Sequence, residues 1–366
     1  MQVHRHQICR HEEPDDGLAR KLAVLFGGCS SEYSVSLQSA HAVLSHLDPE
    51  KYEPVLLGIT REGRWLLYTG PMEALLDDTW HQDTRRTIPA VISPDRGLHG
   101  LLVIAPAGIT AVRLDAAFPV LHGKNGEDGT VQGLLELAGI PIVGCGTCAS
   151  AVCMDKDLAH RLAGQSGVAV PRSVVFRAGE DRAMLPSQAA RLGYPLFVKP
   201  ARAGSSFGVS RVERPDALDA AVTAALEHDS KILLEEAVPG FEVGCAVLGN
   251  LGLTVGEVDE IELTQGFFDY TEKYNLMTAQ IHMPARISRE TAESVKAAAC
   301  KVYWALNCSG FARVDLFLTP EGRVVFNEVN TIPGFTSHSR YPNMMHGIGL
   351  EFGALLDRAI ELAVGA

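Results

Sequence analysis

Two apolar segments late in the chain, FARVDLFL (311–318) and RVVFNEVN (323–330), are joined by the turn-forming Thr319-Pro320-Glu321-Gly322. Arg313 and Asp315 interrupt the first segment at alternate positions, and Glu328 and Asn330 interrupt the second. In strands, a period of two sends both members of each pair to one side. A hairpin pairing Leu318 with Arg323 then sets Arg313 opposite Glu328 and puts all four side chains on one face. Two carboxylates and an amide oxygen are hard ligands of the kind Mg2+ takes. With a guanidinium beside them they suit a phosphorylated or acyl-transfer intermediate. A buried Arg313–Glu328 ion pair is the alternative reading of the same strands.

A chain of 366 residues, 46% hydrophobic, has room for two or three domains. Its formal charge of -12 disfavours polyanionic partners, and no Lys/Arg block interleaved with aromatics suggests nucleic-acid recognition. Residues 1–20 hold scattered histidines and arginines and the acidic run Glu12, Glu13, Asp15 and Asp16, without an apolar signal-peptide core. They read as a disordered tail. No segment reaches the apolar length of a membrane span, so the expectation is a soluble, cytoplasmic protein. Eight cysteines without a secretory signal read as reduced thiols. Cys145 and Cys148, with Cys153 nearby, offer half a zinc site, but no second pair completes it, and small core residues are the other reading.

The amino-terminal part reads as strand KLAVLFGG (21–28), a helix from Ser34 to Leu47 and strand YEPVLLGIT (52–60). A looser stretch (61–112) precedes strand LDAAFPVL (114–121), the loop HGKNGEDG (122–129), a helix near 130–138 and strand IPIVG (140–144). This pattern predicts an α/β unit with a parallel sheet, whose ligands bind beyond the carboxyl ends of the strands. Gly27 to Glu32 and His122 to Gly129 sit at such ends. A single helix is expected over ASAVCMDKDLAHRLAGQ (149–165), then strand RSVVF (172–176). PLFVKP (195–200) and VSRV (209–212) read as a hairpin around the small-residue tip Ala201 to Gly208. Gly and Ser backbone groups approach phosphate oxygens without hindrance, although a merely mobile hairpin carries the same letters. After a helix near 215–228 come strands KILLEEAV (231–238) and EVGCAVLGN (242–250). The polar stretch DEIELTQGFFDYTEKYNLM (259–277) lacks a clear period, and its length suggests a lid. A helix (289–306), the hairpin above, a loop (330–345) and an amphipathic helix (348–363) complete the chain.

Gly144 to Ala149 match G-x-G-x-x-A, but Gly164 to Val170 supply no carboxylate to clamp a ribose, so a dinucleotide fold is disfavoured. No P-loop is present. Lys156, Lys199 and Lys273 stand in distant segments, and each alone reads as a solvated charge. Together with the Gly/Ser tip and the acidic hairpin face they meet the needs of polyphosphate binding.

From about Lys21 onward the chain resembles the D-alanine-D-alanine ligases of the ATP-grasp fold. The resemblance rests on LFGGCSSEYSVSL, HGKNGEDG, MDK, FVKPARAGSSFGVS, LLEEAVPGFEV, GFFDYTEKY, FARVD, FNEVNTIPG and TSHSRYP, in the family's order and approximate spacing. It implies an α/β fold, α+β in its ATP-grasp part. An amino-terminal substrate-binding domain (21–144) would precede the central (145–235) and carboxyl-terminal (236–366) ATP-grasp subdomains. It further implies that Lys156 and Lys199 bind ATP phosphates beneath a loop holding Ser205 and Ser206. Glu235, Glu236, Ala237 and Val238 would line the adenine pocket, Glu242 would hold the ribose, and Lys273 would reach the transferred phosphate. Asp315, Glu328 and Asn330 would ligate two Mg2+, or Mn2+ in their place. Glu32 would bind the first D-amino acid and join Ser205 and Tyr274 in a hydrogen-bonded triad. His122, Glu127, Ser339 and Arg340 would lie near the substrates, and Arg313 with the backbone N–H of Gly334 would form an oxyanion site.

The implied activity is ATP-dependent joining of D-alanine to a second D-amino acid through D-alanyl phosphate, for peptidoglycan precursors, by a homodimer. Arg340 in SHSRYP resembles the vancomycin-resistance ligases, whereas the retained lid residues Asp269, Tyr270, Lys273 and Tyr274 disfavour D-lactate as acceptor. The combination looks most like the D-alanine-D-serine ligases, with a housekeeping D-alanine-D-alanine ligase as the alternative. More remote readings are another ATP-grasp carboxylate-amine ligase and a silent nucleotide-binding regulator.

Overall fold

The structure, a computed structural model, describes residues 19–205, 207–263 and 279–365. The expectations for the tail up to residue 18, for Ser206 and for the lid residues Asp269, Tyr270, Lys273 and Tyr274 fall outside these. Three sheets organise the described chain.

The first sheet has seven strands: β1 (Arg20–Gly27), β2 (Tyr52–Ile59), β3 (Trp65–Tyr68), β4 (Thr87–Ile92), β5 (Gly100–Ala105), β6 (Gly108–Arg113) and β7 (Ala116–Pro119). Their order is β6-β5-β4-β3-β2-β1-β7. Only β2, β1 and β7 run parallel; from β2 through β6 each pairing is antiparallel. The parallel sheet expected here is therefore its core alone, and residues 61–112 are largely strands rather than a looser stretch. Their short runs are punctuated by Gly63, Gly70-Pro71, Pro94 and Gly97, and β6 is exposed along most of its length, so no apolar alternation marks it. The strand expected at 140–144 contributes a single parallel bridge, Ala117 to Ile142.

β1 is apolar on both faces because both are covered. Leu22, Val24 and Phe26 enter one core with helix α1 (Tyr33–His46), while Ala23 and Leu25 enter another with Leu135 of α3 (Thr130–Ala138). A short helix, α2 (Glu73–Leu76), packs against α1. Gly27, at φ +87°, ends β1 where a Cβ would stand 2.1 Å from the Ile59 carbonyl oxygen, so only glycine fits. That tight exit delivers Glu32 to the start of α1.

The helix expected over 149–165 is two helices, α4 (Thr147–Met154) and α5 (Lys156–Gln165). Asp155 breaks it: in an extended conformation its carboxylate accepts from the Leu158 N–H at 3.2 Å and caps α5. The second sheet, β10-β9-β11-β8, is antiparallel, with β8 (Ser173–Arg177), β9 (Leu196–Pro200), β10 (Ser210–Val212) and β11 (Lys231–Glu236). Helices α6 (Leu185–Leu192) and α7 (Leu218–Leu226) share a core with it. The β9–β10 hairpin expected from the sequence is present, pairing Val198 with Ser210.

The third sheet, β14-β13-β12-β15-β16, comprises β12 (Phe241–Leu248), β13 (Thr254–Leu263), β14 (Ala279–His282), β15 (Phe311–Leu318) and β16 (Val324–Asn330). Residues 259–263, expected to begin an irregular lid, complete β13. Helices α8 (Arg289–Ala305), α9 (Arg340–His346) and α10 (Phe352–Val364) follow the expected order, except that α9 occupies part of the stretch read as loop. The hairpin register also differs: Leu318 pairs with Val324, Asp315 with Glu328 and Arg313 with Asn330. Two offsets add up: the turn runs one residue longer than expected, so that Val324 rather than Arg323 faces Leu318, and a bulge follows, since Leu316 faces Phe326 while Asp315 faces Glu328, leaving Asn327 as an extra residue. No helix among the described residues is long and apolar enough to cross a membrane.

Candidate active site

Asp315 is the anionic centre of the β15–β16 face. Arg313 donates to it through Nε at 2.8 Å and a terminal nitrogen at 2.7 Å, and the Asn330 amide donates at 2.9 Å. Arg340 approaches the same carboxylate to 3.4 Å. Burial alone would raise its pKa, but the two guanidinium groups hold it below the usual carboxylate range. The Arg313–Glu328 pair considered from the sequence is thus replaced by Arg313–Asp315. Glu328 is instead 3.3 Å from Nζ of Lys156.

Lys156 opens α5 directly after the Asp155 break. Its backbone N–H donates to Ala201 O at 3.0 Å and its Nζ to Ala203 O at 2.9 Å, holding the Gly/Ser loop to the helix. Lys199, next to last in β9, is buried, with Nζ 2.6 Å from Oε1 of the equally buried Glu235. Both lysines line a cavity of about 800 Å³ with Glu235, Glu236, Ala237, Val238, Glu242 and Glu328. That volume lies within the range of ordinary small-molecule sites. Glu236 turns its carboxylate to Arg172, which donates through Nε at 2.6 Å. Glu242 accepts from Arg340 at 3.2 Å.

At the end of the first sheet, Glu32 is buried and receives the Ser205 hydroxyl from the Gly/Ser loop. A Cβ at Gly123 would stand 2.6 Å from Glu32 Oε2, so the HGKNGEDG loop must be glycine where it passes this carboxylate. His122 is buried between Ile332 O (3.0 Å from Nδ1) and the Ser39 hydroxyl (3.3 Å from Nε2), and desolvation holds its pKa below the normal imidazole value. Glu127 accepts from the backbone N–H groups of Gly123 at 2.8 Å and Ile332 at 3.3 Å. Its pKa is raised to about 8, chiefly by desolvation and then by the nearby charge of Glu32.

Gly334 and Ser339 belong to the same loop: a Cβ at 334 would stand 2.7 Å from Ser339 Oγ, which accepts from Thr336 N–H at 3.0 Å. Arg340 is buried. Its Nε and one terminal nitrogen donate to Asp259 at 2.7 and 2.8 Å, and the other terminal nitrogen reaches Glu242 and Asp315. The structure therefore gathers Glu32, His122, Glu127 and Ser205 on one side. It gathers Lys156, Asp315, Glu328 and Asn330 on another, with Arg313 and Arg340 joined to Asp315.

Asp259 and His160 were missed in the sequence. Asp259 lies in the stretch read as lid, where only the alternation of Glu260 and Glu262 with Ile261 and Leu263 hinted at a strand. His160 is four residues after Lys156 on one helix, a spacing that places both on the same face.

The hairpin's donor set fits Mg2+. Two carboxylates from facing positions and one amide are hard oxygen donors, and Mg2+ commonly takes one or two carboxylates with phosphates and water completing its shell.

Comparison with known proteins bears directly on this arrangement. Residues 21–145 match the family model "D-ala D-ala ligase N-terminus" and residues 162–361 match "D-ala D-ala ligase C-terminus". The vancomycin B-type resistance protein VanB of Enterococcus faecalis is 48% identical over 349 residues, covering 94% of this chain and 98% of VanB. A putative D-alanine-D-lactate ligase of Streptomyces coelicolor is likewise 48% identical, covering 94% and 97%. The solved structure of the VanG D-Ala:D-Ser ligase from Enterococcus faecalis superposes with a TM-score of 0.89 at 55% identity, covering 94% of this chain and 100% of that one. The chain belongs to the D-alanine-D-alanine ligase family. It is an ATP-dependent ligase of the D-alanine-D-X type on the ATP-grasp fold, a family that uses Mg2+ and two substrates to build cell-wall precursors.

Proposed function

We propose that this ligase joins D-alanine to D-serine for peptidoglycan precursors, and that it serves vancomycin resistance, as the name of VanB states for that relative. The observation that carries the acceptor assignment is the likeness to the VanG D-Ala:D-Ser ligase along the whole of that chain at 55% identity. D-Alanine as acceptor is the second reading. It is favoured by Arg340, whose guanidinium is engaged by Asp259, Glu242 and Asp315 rather than offered to an acceptor hydroxyl.

A carboxylate resists attack by an amine because its oxygen is a poor leaving group, so the first D-alanine must be activated as D-alanyl phosphate. Lys156 and Lys199 would receive the ATP phosphates, with adenine along Glu235 to Val238 and the ribose at Glu242. Ser206 and Lys273 would complete the cover. Asp315, Glu328 and Asn330 would hold Mg2+, which when bound neutralises phosphate charge. Glu32, fixed by Ser205 and by Tyr274 of the lid, would hold the ammonium of the first substrate, with His122 and Glu127 behind it and Ser339 at the acceptor side. Arg313 and the Gly334 N–H would stabilise the oxyanion formed when the second amine attacks, a contribution of about 2.7–4 kcal/mol per donor in comparable sites. Exclusion of water by the closed lid would protect the acyl phosphate. We place this activity in the cytoplasm and in a homodimer, with residues 21–144 binding substrate and 145–235 and 236–366 clasping ATP.

Competition between D-serine, D-alanine and D-lactate in one ATP-coupled assay tests the assignment. D-Serine should show the highest kcat/KM, and a higher value for D-alanine overturns it.

A further inference from the structure

Glu235 on β11 uses only half of its carboxylate. Oε1 is paired with Lys199 at 2.6 Å, while Oε2 is buried and has no hydrogen-bond partner. Facing it at 3.6 Å is Nδ1 of His160, also buried and also without a partner. The other ring nitrogen, Nε2, lies 2.7 Å from the Asn327 carbonyl oxygen. A carbonyl only accepts, so Nε2 carries the hydrogen and Nδ1 of the neutral ring is a bare lone pair. Two acceptors thus face each other, one proton short of a hydrogen bond. Burial keeps the imidazole neutral while Lys199 supplies the positive charge that Glu235 needs.

The two other lysines on the adjoining elements are engaged elsewhere. Lys231, four residues earlier on β11, is held by Asp155 at 2.8 Å and Asp157 at 2.7 Å. Lys156, on the same helix as His160, is taken by Ala203 O and Glu328. The neighbour from β16 is the apolar ring of Phe326, its centroid 5.5 Å from that of His160. If Lys199 turns to phosphate oxygens, Glu235 is left as a buried, uncompensated charge, an arrangement that is costly unless a proton arrives.

We propose that His160 is a positioning residue that takes over Glu235 when ATP draws Lys199 away, so that nucleotide binding brings a proton onto Nδ1. The proton comes from solvent, and the resulting imidazolium donates from Nε2 to Asn327 O and from Nδ1 to Glu235 Oε2. Glu235 then keeps its place beside the cavity while Lys199 is free for phosphate. This inference rests on the nucleotide reading of the cavity given above.

Calorimetric titration of the full-length protein with MgATP, without D-amino acids and in buffers of different ionisation enthalpy, counts the protons exchanged. His160→Asn and His160→Phe provide the comparison. The asparagine amide offers Glu235 a permanent donor near the Nδ1 position, whereas phenylalanine offers none. Wild type should take up more protons per nucleotide than His160→Asn, and their difference cancels the titration of ATP itself. His160→Asn should retain most of the affinity, while His160→Phe loses about tenfold or more, the loss expected when a hydrogen bond to a charged group is removed. Equal proton counts in wild type and His160→Asn overturn the inference alone. Failure of wild type to bind MgATP overturns the nucleotide reading, and this inference with it.

Discussion

Ser205 donates its hydroxyl to Oε1 of Glu32, joining the Gly/Ser loop to the start of α1 across 173 positions of chain. Both side chains are buried, and Ser205 holds a left-handed backbone at φ +51° to make the contact. A non-glycine residue pays for that conformation, so the bond is maintained against local strain.

Removing the hydroxyl separates the two effects. A hydrogen bond to a charged group contributes about 1.5–3 kcal/mol, so Ser205→Ala should lower kcat/KM for D-alanine about tenfold to a hundredfold. Ser205→Gly should do the same while lowering Tm less than Ser205→Ala does, because glycine accepts the positive φ. Steady-state ADP release and thermal melts check the pair of variants. Undiminished kcat/KM in both would remove Glu32–Ser205 from the substrate site.

Glu328→Gln should abolish ADP formation with little loss of stability. The amide keeps the volume but gives up the charge that now faces Lys156 at 3.3 Å and would face Mg2+. Near-normal turnover in this variant, measured at saturating MgATP, would refute the metal assignment.

Arg340→Met should destabilise the fold by about 3–5 kcal/mol, since it strands buried carboxylates without their cation. Adding Asp259→Asn should recover part of that loss by removing one stranded charge. Denaturant melts of the single and double variants measure the coupling, and strict additivity would show that the contact with Asp259 carries no energy.

The buried carboxyl of Glu127 gives stability a definite pH slope. Its folded pKa of about 8 exceeds the ordinary 4.5, so between these values the folded state holds a proton that the unfolded state lacks. The contribution is full below the lower value and is lost as pH rises through the higher one. Relative to Glu127→Gln, which mimics the protonated acid, wild type should lose a few kcal/mol of stability between about pH 5 and pH 8. Parallel stability curves for the two proteins would contradict this.

What was legible in the sequence followed from local pattern. Alternation in β15 and β16 identified Arg313, Asp315, Glu328 and Asn330 as one group, and MDK and the FVKP segment marked two cavity lysines. The hairpin register differs because neither a turn one residue longer than expected nor a bulge at Asn327 leaves a trace in apolar periodicity. The helix break was missed because Asp155 is as plausible inside a polar helical turn as at a cap, and only its extended backbone decides. Arg340 drew attention by its motif, yet its partners Glu242 and Asp259 lie 98 and 81 positions away on β12 and β13, and no local pattern reports that its helix meets them. The antiparallel extension through β6 was hidden for another reason: β3, β4 and β5 are short interior strands broken up by turn residues, and β6, at the edge, is exposed and carries no apolar alternation.

The grip of Arg340 on three carboxylates bears on which substitutions this corner of the protein can accept. A lineage that replaces this arginine must first, or at once, dispose of the charge on Asp259, so the order in which substitutions accumulate is constrained. Sequence change at position 340 should therefore be epistatic with position 259, and relatives that lack the arginine should carry a compensating residue there.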